Sequence, residues 1–69
     1  MPLLLGEPGT IYIIRRVGGN EKDKHYLESL GFIAGSEVII VSKFNDYVLV
    51  NVKGSRVGID ERMAKRIII

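Results

Sequence analysis

Three side chains near the middle of the chain have the types and the spacing that could bind a metal ion. Glu21, His25 and Glu28 are separated by four and three residues, so on a helix they would share one face. Carboxylate and imidazole groups are ligands for divalent transition metals. A solvated helix face lacks the neighbouring groups that orient ligands, so it would bind metal weakly and without selectivity. We therefore predict no resident metal or cofactor, with a divalent transition metal ion as the weaker alternative.

The chain has few groups suited to covalent or acid-base catalysis. It has no cysteine and a single histidine, and none of its serines stands in a Gly-x-Ser-x-Gly sequence. A nucleophile, a base and an orienting residue therefore cannot be assembled. Gly18 and Gly19 precede the predicted helix, but no Walker lysine or third glycine follows at the spacing of a phosphate-binding loop. The sequence predicts a protein that is not an enzyme and has no catalytic residues.

Three aromatic residues are the best candidates for contacting another protein. Tyr26 lies in the predicted helix, and Phe44 and Tyr47 flank a tight turn. We expect these rings to line or border a groove between residues 18–36 and 43–47, because aromatic side chains contribute disproportionately to protein interfaces. The competing interpretation is that Tyr26 belongs to the core and that the other two rings cover the mouth of the domain.

Basic residues provide an alternative surface of a different class, one that binds nucleic acid. The formal net charge is only +2, since ten basic residues are mixed with eight acidic ones. Nucleic-acid-binding platforms interleave basic groups with stacking aromatics, and that pattern is sparse here. We expect no nucleic acid partner and keep a nucleic-acid-binding small barrel as the alternative. The basic residues close together in sequence are Arg56, Arg62, Lys65 and Arg66.

Capping signals define the helix that carries Tyr26. Asn20 is a good N-cap, and the side chain of Asp23 could return a hydrogen bond to the Asn20 amide, as in a capping box. Gly31 would end the helix in a left-handed conformation, with Phe32 packed on Leu27 in a Schellman motif. The apolar residues expected to form the buried stripe are Tyr26, Leu27 and Leu30.

The remaining sequence has the alternation and the turns typical of short strands. The first strand, residues 10–17, needs a bulge near its two arginines so that Ile14 and Val17 can both face inward. Asp60 is the N-cap candidate for a helical turn that precedes the last strand, residues 66–69. The second strand is predicted at residues 37–43, the third at residues 47–52 and the fourth after the Lys53-Gly54 turn. The side chains expected on the inner face of the third strand are Val48, Val50 and Val52.

These signals predict a single domain over residues 1–69 that is mainly β. Its expected architecture is a small SH3-like barrel of about five strands, with one short helix in the first long connection and a helical turn before the last strand. A domain of this size buries about 60% of the surface that its unfolded chain exposes. The apolar segment 1–5 has no basic leader and is far shorter than the roughly 20 residues of a membrane span. We expect it to pack across the barrel of a cytoplasmic protein.

Two motifs follow one another along the chain. The first is ESLGFIAGSEV at residues 28–38, in which a leucine-glycine-hydrophobic turn precedes a second glycine and a strand. The second is KGSRVGIDERMAKRI at residues 53–67. In this order they resemble the FeoA family of small bacterial ferrous-iron-transport accessory proteins, and the resemblance extends over nearly the whole chain.

The resemblance implies an SH3-like fold and a non-catalytic, cytoplasmic accessory role in ferrous iron uptake. It also implies a partner, the cytosolic, GTPase-bearing part of a FeoB-type permease, so the protein would meet the membrane only indirectly. Similar domains form the C-terminal part of metal-dependent repressors, where they lend carboxylates to a regulatory metal, and this leaves a metal-sensing module as a further alternative. The apolar residues 67–69 leave self-association into a homo-oligomer open.

Overall fold

Six short strands, two α-helices and one short 3-10 helix make up the structure, a computed structural model that describes residues 1–69. A four-stranded antiparallel sheet has the order β1-β3-β4-β5, and β2 pairs with β6 in a second sheet. The mainly β architecture, with one helix in the first long connection and a helical turn before the last strand, is confirmed. Neither α-helix is long and apolar enough to cross a membrane. In chain order the elements are a 3-10 helix at Leu3–Leu5, then Ile11–Ile13 (β1), Arg16–Val17 (β2), Glu21–Ser29 (α1), Glu37–Lys43 (β3), Tyr47–Val52 (β4), Ser55–Asp60 (β5), Glu61–Ala64 (α2) and Ile67–Ile68 (β6).

The predicted first strand is divided into β1 and β2, which belong to different sheets. Ile14 is hydrogen-bonded to the residues before β3, whereas the Arg15 amide donates to the carbonyl of Ile68 in β6 at 2.7 Å. Ile14 and Val17 are both buried, while Arg15 and Arg16 are exposed. The predicted placement of these side chains is confirmed. Its cause is a change of strand partner rather than a bulge within one continuous strand.

The inner face of β4 supplies the centre of the core. Val48, Val50 and Val52 are at most 1% exposed, as strict alternation predicts. Val50 lies opposite Ile40 of β3, and Val52 lies opposite Val38. Both partners are also buried. The β3-β4 pair therefore forms a continuous apolar wall against which the helices and the N-terminal segment pack.

Both ends of α1 are fixed by local contacts. Asn20 Oδ1 accepts a hydrogen bond from the Asp23 amide at 2.8 Å, which confirms the N-cap. Gly31 has a φ of 107°, the Phe32 amide donates to the Leu27 carbonyl at 3.1 Å, and both of those side chains are fully buried. This is the predicted Schellman ending. The return bond of a capping box is not formed, because the Asp23 carboxylate faces arginines instead.

The buried stripe of α1 differs from the predicted one. Leu27 is fully buried and Leu30 is half-buried, but Tyr26 is 50% exposed and does not belong to the core. Asp23 is buried in its place, with 8% exposed. The spacing of Asp23, Leu27 and Leu30 is i, i+4, i+7, which is a true helical stripe, and Tyr26 lies at its margin. A carboxylate can occupy the stripe because paired cations offset the loss of its hydration.

The elements α2 and β6 close the barrel beside the N-terminal segment. Asp60 Oδ1 accepts a hydrogen bond from the third amide of α2 at 2.8 Å, so the predicted N-cap is confirmed. Ile67 is fully buried, and Ile68 forms a β-bridge with Pro2. Leu3 is fully buried. The N-terminal segment therefore packs across the barrel, as expected.

Candidate docking surface

Two aromatic rings are stacked at the tip of the β3-β4 hairpin. The Phe44 amide donates to the Tyr47 carbonyl at 2.9 Å, which closes the turn and brings the two side chains together. Their ring centroids are 4.5 Å apart, and the planes differ by only 11°. Phe44 is nevertheless 49% exposed and Tyr47 41% exposed. The hairpin therefore holds a preformed, half-exposed aromatic pair on the surface.

The aromatic pair extends across the sheet to β5. Tyr47 is the first residue of β4, and its ring lies beside Gly58 of β5. Because Gly58 has no side chain, this side of the Tyr47 ring is open. A methyl group at position 58 would lie 3.7 Å from Tyr47 Cδ2, which is an ordinary contact, so the packing would also accept an alanine here. Gly58 also lines the concavity on which Tyr26 lies. The three predicted rings thus border one region, and Gly58 connects them.

The concavity beside Tyr26 has a volume of about 590 Å³ and lies between α1 and the β5-α2 corner. Its floor is partly apolar and its rim is polar, an arrangement typical of protein interfaces. Phe44 and Tyr47 do not line it but lie next to it across Gly58. The concavity is therefore bounded by α1, β5 and α2, and not by residues 43–47 as predicted. The lining residues are Asn20, Lys22, Asp23, Tyr26, Gly58, Ile59, Asp60, Arg62 and Met63.

An ion-pair cluster that no local sequence pattern predicts links α1 to α2 and to the residues just after α2. Asp23 Oδ2 lies 3.4 Å from an Arg66 guanidinium nitrogen and 3.5 Å from one of Arg62. The Arg66 side chain is 26% exposed and that of Arg62 63% exposed, so Arg66 is the better shielded partner. One signal could have revealed the cluster: Asp23 lies on the stripe of Leu27, and a buried carboxylate requires a cation. Tyr26 lies about one turn from Asp23 on α1, so this cluster also influences where the helix holds Tyr26.

The four basic residues considered for nucleic acid binding are engaged in separate contacts. Arg62 and Arg66 face Asp23, and Lys65 pairs with Glu61 at 3.4 Å. Arg56 donates to Asn51 Oδ1 at 3.3 Å on the β4-β5 pair. Each contact directs a cation toward a neighbour on the protein. The arrangement does not provide the row of free cations and interleaved rings that a phosphate backbone would contact.

The proposed metal ligands share a helix face without forming a cluster. Glu21, His25 and Glu28 are all exposed on α1. No three histidine, aspartate or glutamate side chains in the structure converge closely enough to hold a metal ion. Metal binding at these three positions would therefore require their side chains to rearrange in solvent.

The fold and the surface define the class of protein: a small SH3-like barrel with an exposed aromatic region beside a polar-rimmed concavity. The family model described as the FeoA domain matches residues 1–69. The chain therefore belongs to the FeoA domain family, small proteins associated with ferrous iron transport. No curated protein sequence matches it.

Solved structures of the same fold include both FeoA proteins and a repressor. FeoA from Stenotrophomonas maltophilia, complexed with zinc and described as a prokaryotic SH3-domain protein, is 28% identical with a TM-score of 0.85, over 99% of this chain and 87% of that chain. An iron uptake regulatory protein, FeoA, is 24% identical with a TM-score of 0.89, over 97% of this chain and 91% of that chain. A manganese-dependent transcriptional repressor is 17% identical with a TM-score of 0.88, but the match spans only 39% of that chain. The likeness to the repressor shows the fold alone.

Proposed function

We propose that this protein is a non-catalytic accessory of bacterial ferrous iron uptake. It acts in the cytoplasm by docking on the cytosolic part of a FeoB-type permease, and it meets the membrane only through that partner. The docking surface consists of Tyr26, Phe44 and Tyr47. The observation that carries the proposal is the exposed Phe44-Tyr47 stack, which lies beside the concavity of Tyr26 in a member of the FeoA family.

The geometry of the stack favours binding over a purely structural role. Two large rings at 49% and 41% exposure leave apolar area in contact with water, and covering that area by a partner is favourable. The rings already hold each other in place, so less side-chain entropy is lost on binding. Such pre-organised aromatic residues are common hot spots of interfaces.

The surroundings of the rings support a polar rim. Asp23 and Arg62 on the concavity are paired with each other, so neither presents an isolated charge to a partner. Lys22 and Asn20 lie at the opening. Apolar anchors surrounded by polar groups are the usual anatomy of a specific, reversible interface.

The proposal is tested by titrating the purified cytosolic part of the permease into this protein by calorimetry. Replacing Phe44 and Tyr47 together by serine should weaken binding by about 30-fold or more, because removing hot-spot side chains typically costs at least about 2 kcal/mol. Ile33→Ser is the matched control, because Ile33 is 43% exposed and lies beyond the other end of α1. The fold of each variant is checked by its amide NMR spectrum. Equal affinities for the double variant and the native protein would overturn the proposal.

A salt series separates this function from nucleic acid binding. An apolar docking surface should change little in affinity between about 50 and about 200 mM salt, whereas binding through several phosphate contacts falls by roughly a thousandfold or more. Binding to the permease that falls this steeply with salt would show that charges, and not the rings, carry the contact.

A further inference from the structure

The outer edge of β1 has unpaired backbone groups on its two isoleucines. The amide and the carbonyl of Ile14 are hydrogen-bonded to the residues just before β3. In an antiparallel pair, residues that face the partner strand with their backbone groups alternate with residues that face away from it. Tyr12 is therefore in a bonded pair with Val38, while the amides and carbonyls of Ile11 and Ile13 point away from β3. No other backbone or side-chain hydrogen bond outside the sheet reaches these two residues. β1 is therefore an edge strand whose free backbone groups can pair with another strand.

The side chains of this edge do not protect it. Ile11 is 62% exposed and Ile13 50% exposed, and β1 carries no charge. Natural proteins normally protect an edge with charged residues, proline or a bulge. The opposite edge follows that rule, since alternation from the β4-β5 turn places Arg56, Gly58 and Asp60 at its unpaired positions, and two of these three residues are charged. The same sheet therefore has one protected edge and one edge suited to pairing.

We propose that β1 pairs antiparallel with β1 of a second copy of this chain. The twofold axis passes through Tyr12, so that Ile11 lies opposite Ile13 of the second copy and both exchange hydrogen bonds. On the outer face, the isoleucines of the two copies form one apolar cluster that continues onto Ile39, which lies opposite Ile11 on β3. Two four-stranded sheets then become one continuous sheet.

The charges at the two ends of β1 favour a second copy over an unrelated strand. Glu7 precedes the strand, held to it by a 2.8 Å hydrogen bond from its amide to the Tyr12 hydroxyl. Arg15 and Arg16 follow the strand, and all three charged side chains are exposed. Antiparallel pairing places the acidic end of one copy beside the basic end of the other, at both ends of the interface. A parallel arrangement would bring like charges together.

The interface is small, so the dimer is weak. Three residues per strand bury less surface than a standard stable interface. We therefore expect association to be visible by sedimentation velocity between about 10 µM and 1 mM protein. The edge of β1 contains none of the three rings of the docking surface, so the dimer and the docking to the permease are tested separately.

The first experiment compares Ile13→Lys with the matched control Ile33→Lys. Ile13→Lys should raise the dissociation constant of the dimer by about tenfold or more, because it places a charge in the apolar cluster, opposite Ile11 of the second copy. The control should leave it unchanged. In the native protein, the amides of Ile11 and Ile13 should exchange with deuterium more slowly as the concentration rises. A protein that stays monomeric at about 1 mM, or a dimer indifferent to Ile13→Lys, would overturn the proposal.

The second experiment tests the register through charge. Glu7→Arg alone should weaken the dimer, as should the pair Arg15→Glu and Arg16→Glu, because each change brings like charges together. The triple variant carrying all three changes should recover native association, since both ends are reversed together. Failure of the triple variant to recover would contradict the antiparallel pairing. Slowed exchange of the Ile11 and Ile13 amides only when the permease is added would assign this edge to a foreign strand and also overturn the second-copy proposal.

Discussion

The sheet half of the molecule, β3 to β5, and its closing half, α1 with α2 and β6, are held together by different forces. The sheet half buries a wall of valines and isoleucines with no charge among them. The closing half depends on two N-caps, a Schellman ending and the cluster of Asp23 with Arg66 and Arg62. The comparison indicates that apolar burial stabilises the barrel, whereas a few directional polar contacts set where α1, and with it Tyr26, lies on that barrel.

The largest effect is expected in the sheet half. Ile40→Ala removes a fully buried side chain opposite Val50 and should lower the free energy of unfolding by about 2–5 kcal/mol. A chain of this length has a total stability on the order of 3–10 kcal/mol, so this one substitution should remove a large share of it. Urea denaturation followed by circular dichroism measures the loss. A decrease below about 1 kcal/mol would show that the wall is not the main source of stability.

An intermediate effect is expected at the ion-pair cluster. Arg66→Ala should cost about 1–3 kcal/mol because it leaves the buried Asp23 carboxylate without its shielded partner. Arg62→Ala is the matched control and should cost less than about 0.5 kcal/mol, since that side chain is 63% exposed and its pair is screened by water. Both are measured by urea denaturation. Equal losses for the two variants would contradict the assignment of Arg66 as the principal partner.

The smallest effects are expected at the caps of the closing half. Asn20→Ala and Asp60→Ala each remove one hydrogen bond to a helix amide and should each cost about 1 kcal/mol. Hydrogen exchange should show faster exchange of the Asp23 amide in the first variant and of the Met63 amide in the second. Unchanged exchange at these amides would show that the capping bonds contribute nothing.

The same division explains how much the sequence could predict. Alternation places Val48, Val50 and Val52 on one face, and only one face of β4 meets the core, so this half follows directly from a local pattern. The caps of α1 are equally local. Hydrophobicity alone favours Tyr26 over Asp23 for the buried stripe of α1, and that prediction is wrong. The partners of Asp23 lie about 40 residues further along the chain, so no local pattern indicates them.

The division of the first strand illustrates the same limit. The need to bury both Ile14 and Val17 while exposing Arg15 and Arg16 was evident from residue type. The chain meets this need by leaving one sheet and pairing with β6. That change of partner depends on Ile68, which is distant in sequence. In the candidate site, the predicted groove shares only its α1 side with the observed concavity, because the other side is assembled from β5 and α2 and not from residues 43–47.

The most direct measurement of the central claim is an NMR titration of the isotope-labelled protein with the cytosolic part of the permease. We predict that the amide and aromatic signals of Tyr26, Phe44, Tyr47 and Gly58 shift or broaden first, while those of Ile33 stay fixed. Perturbations confined to residues away from the rings, or a spectrum unchanged at saturating partner, would contradict the assignment of this surface as the docking site.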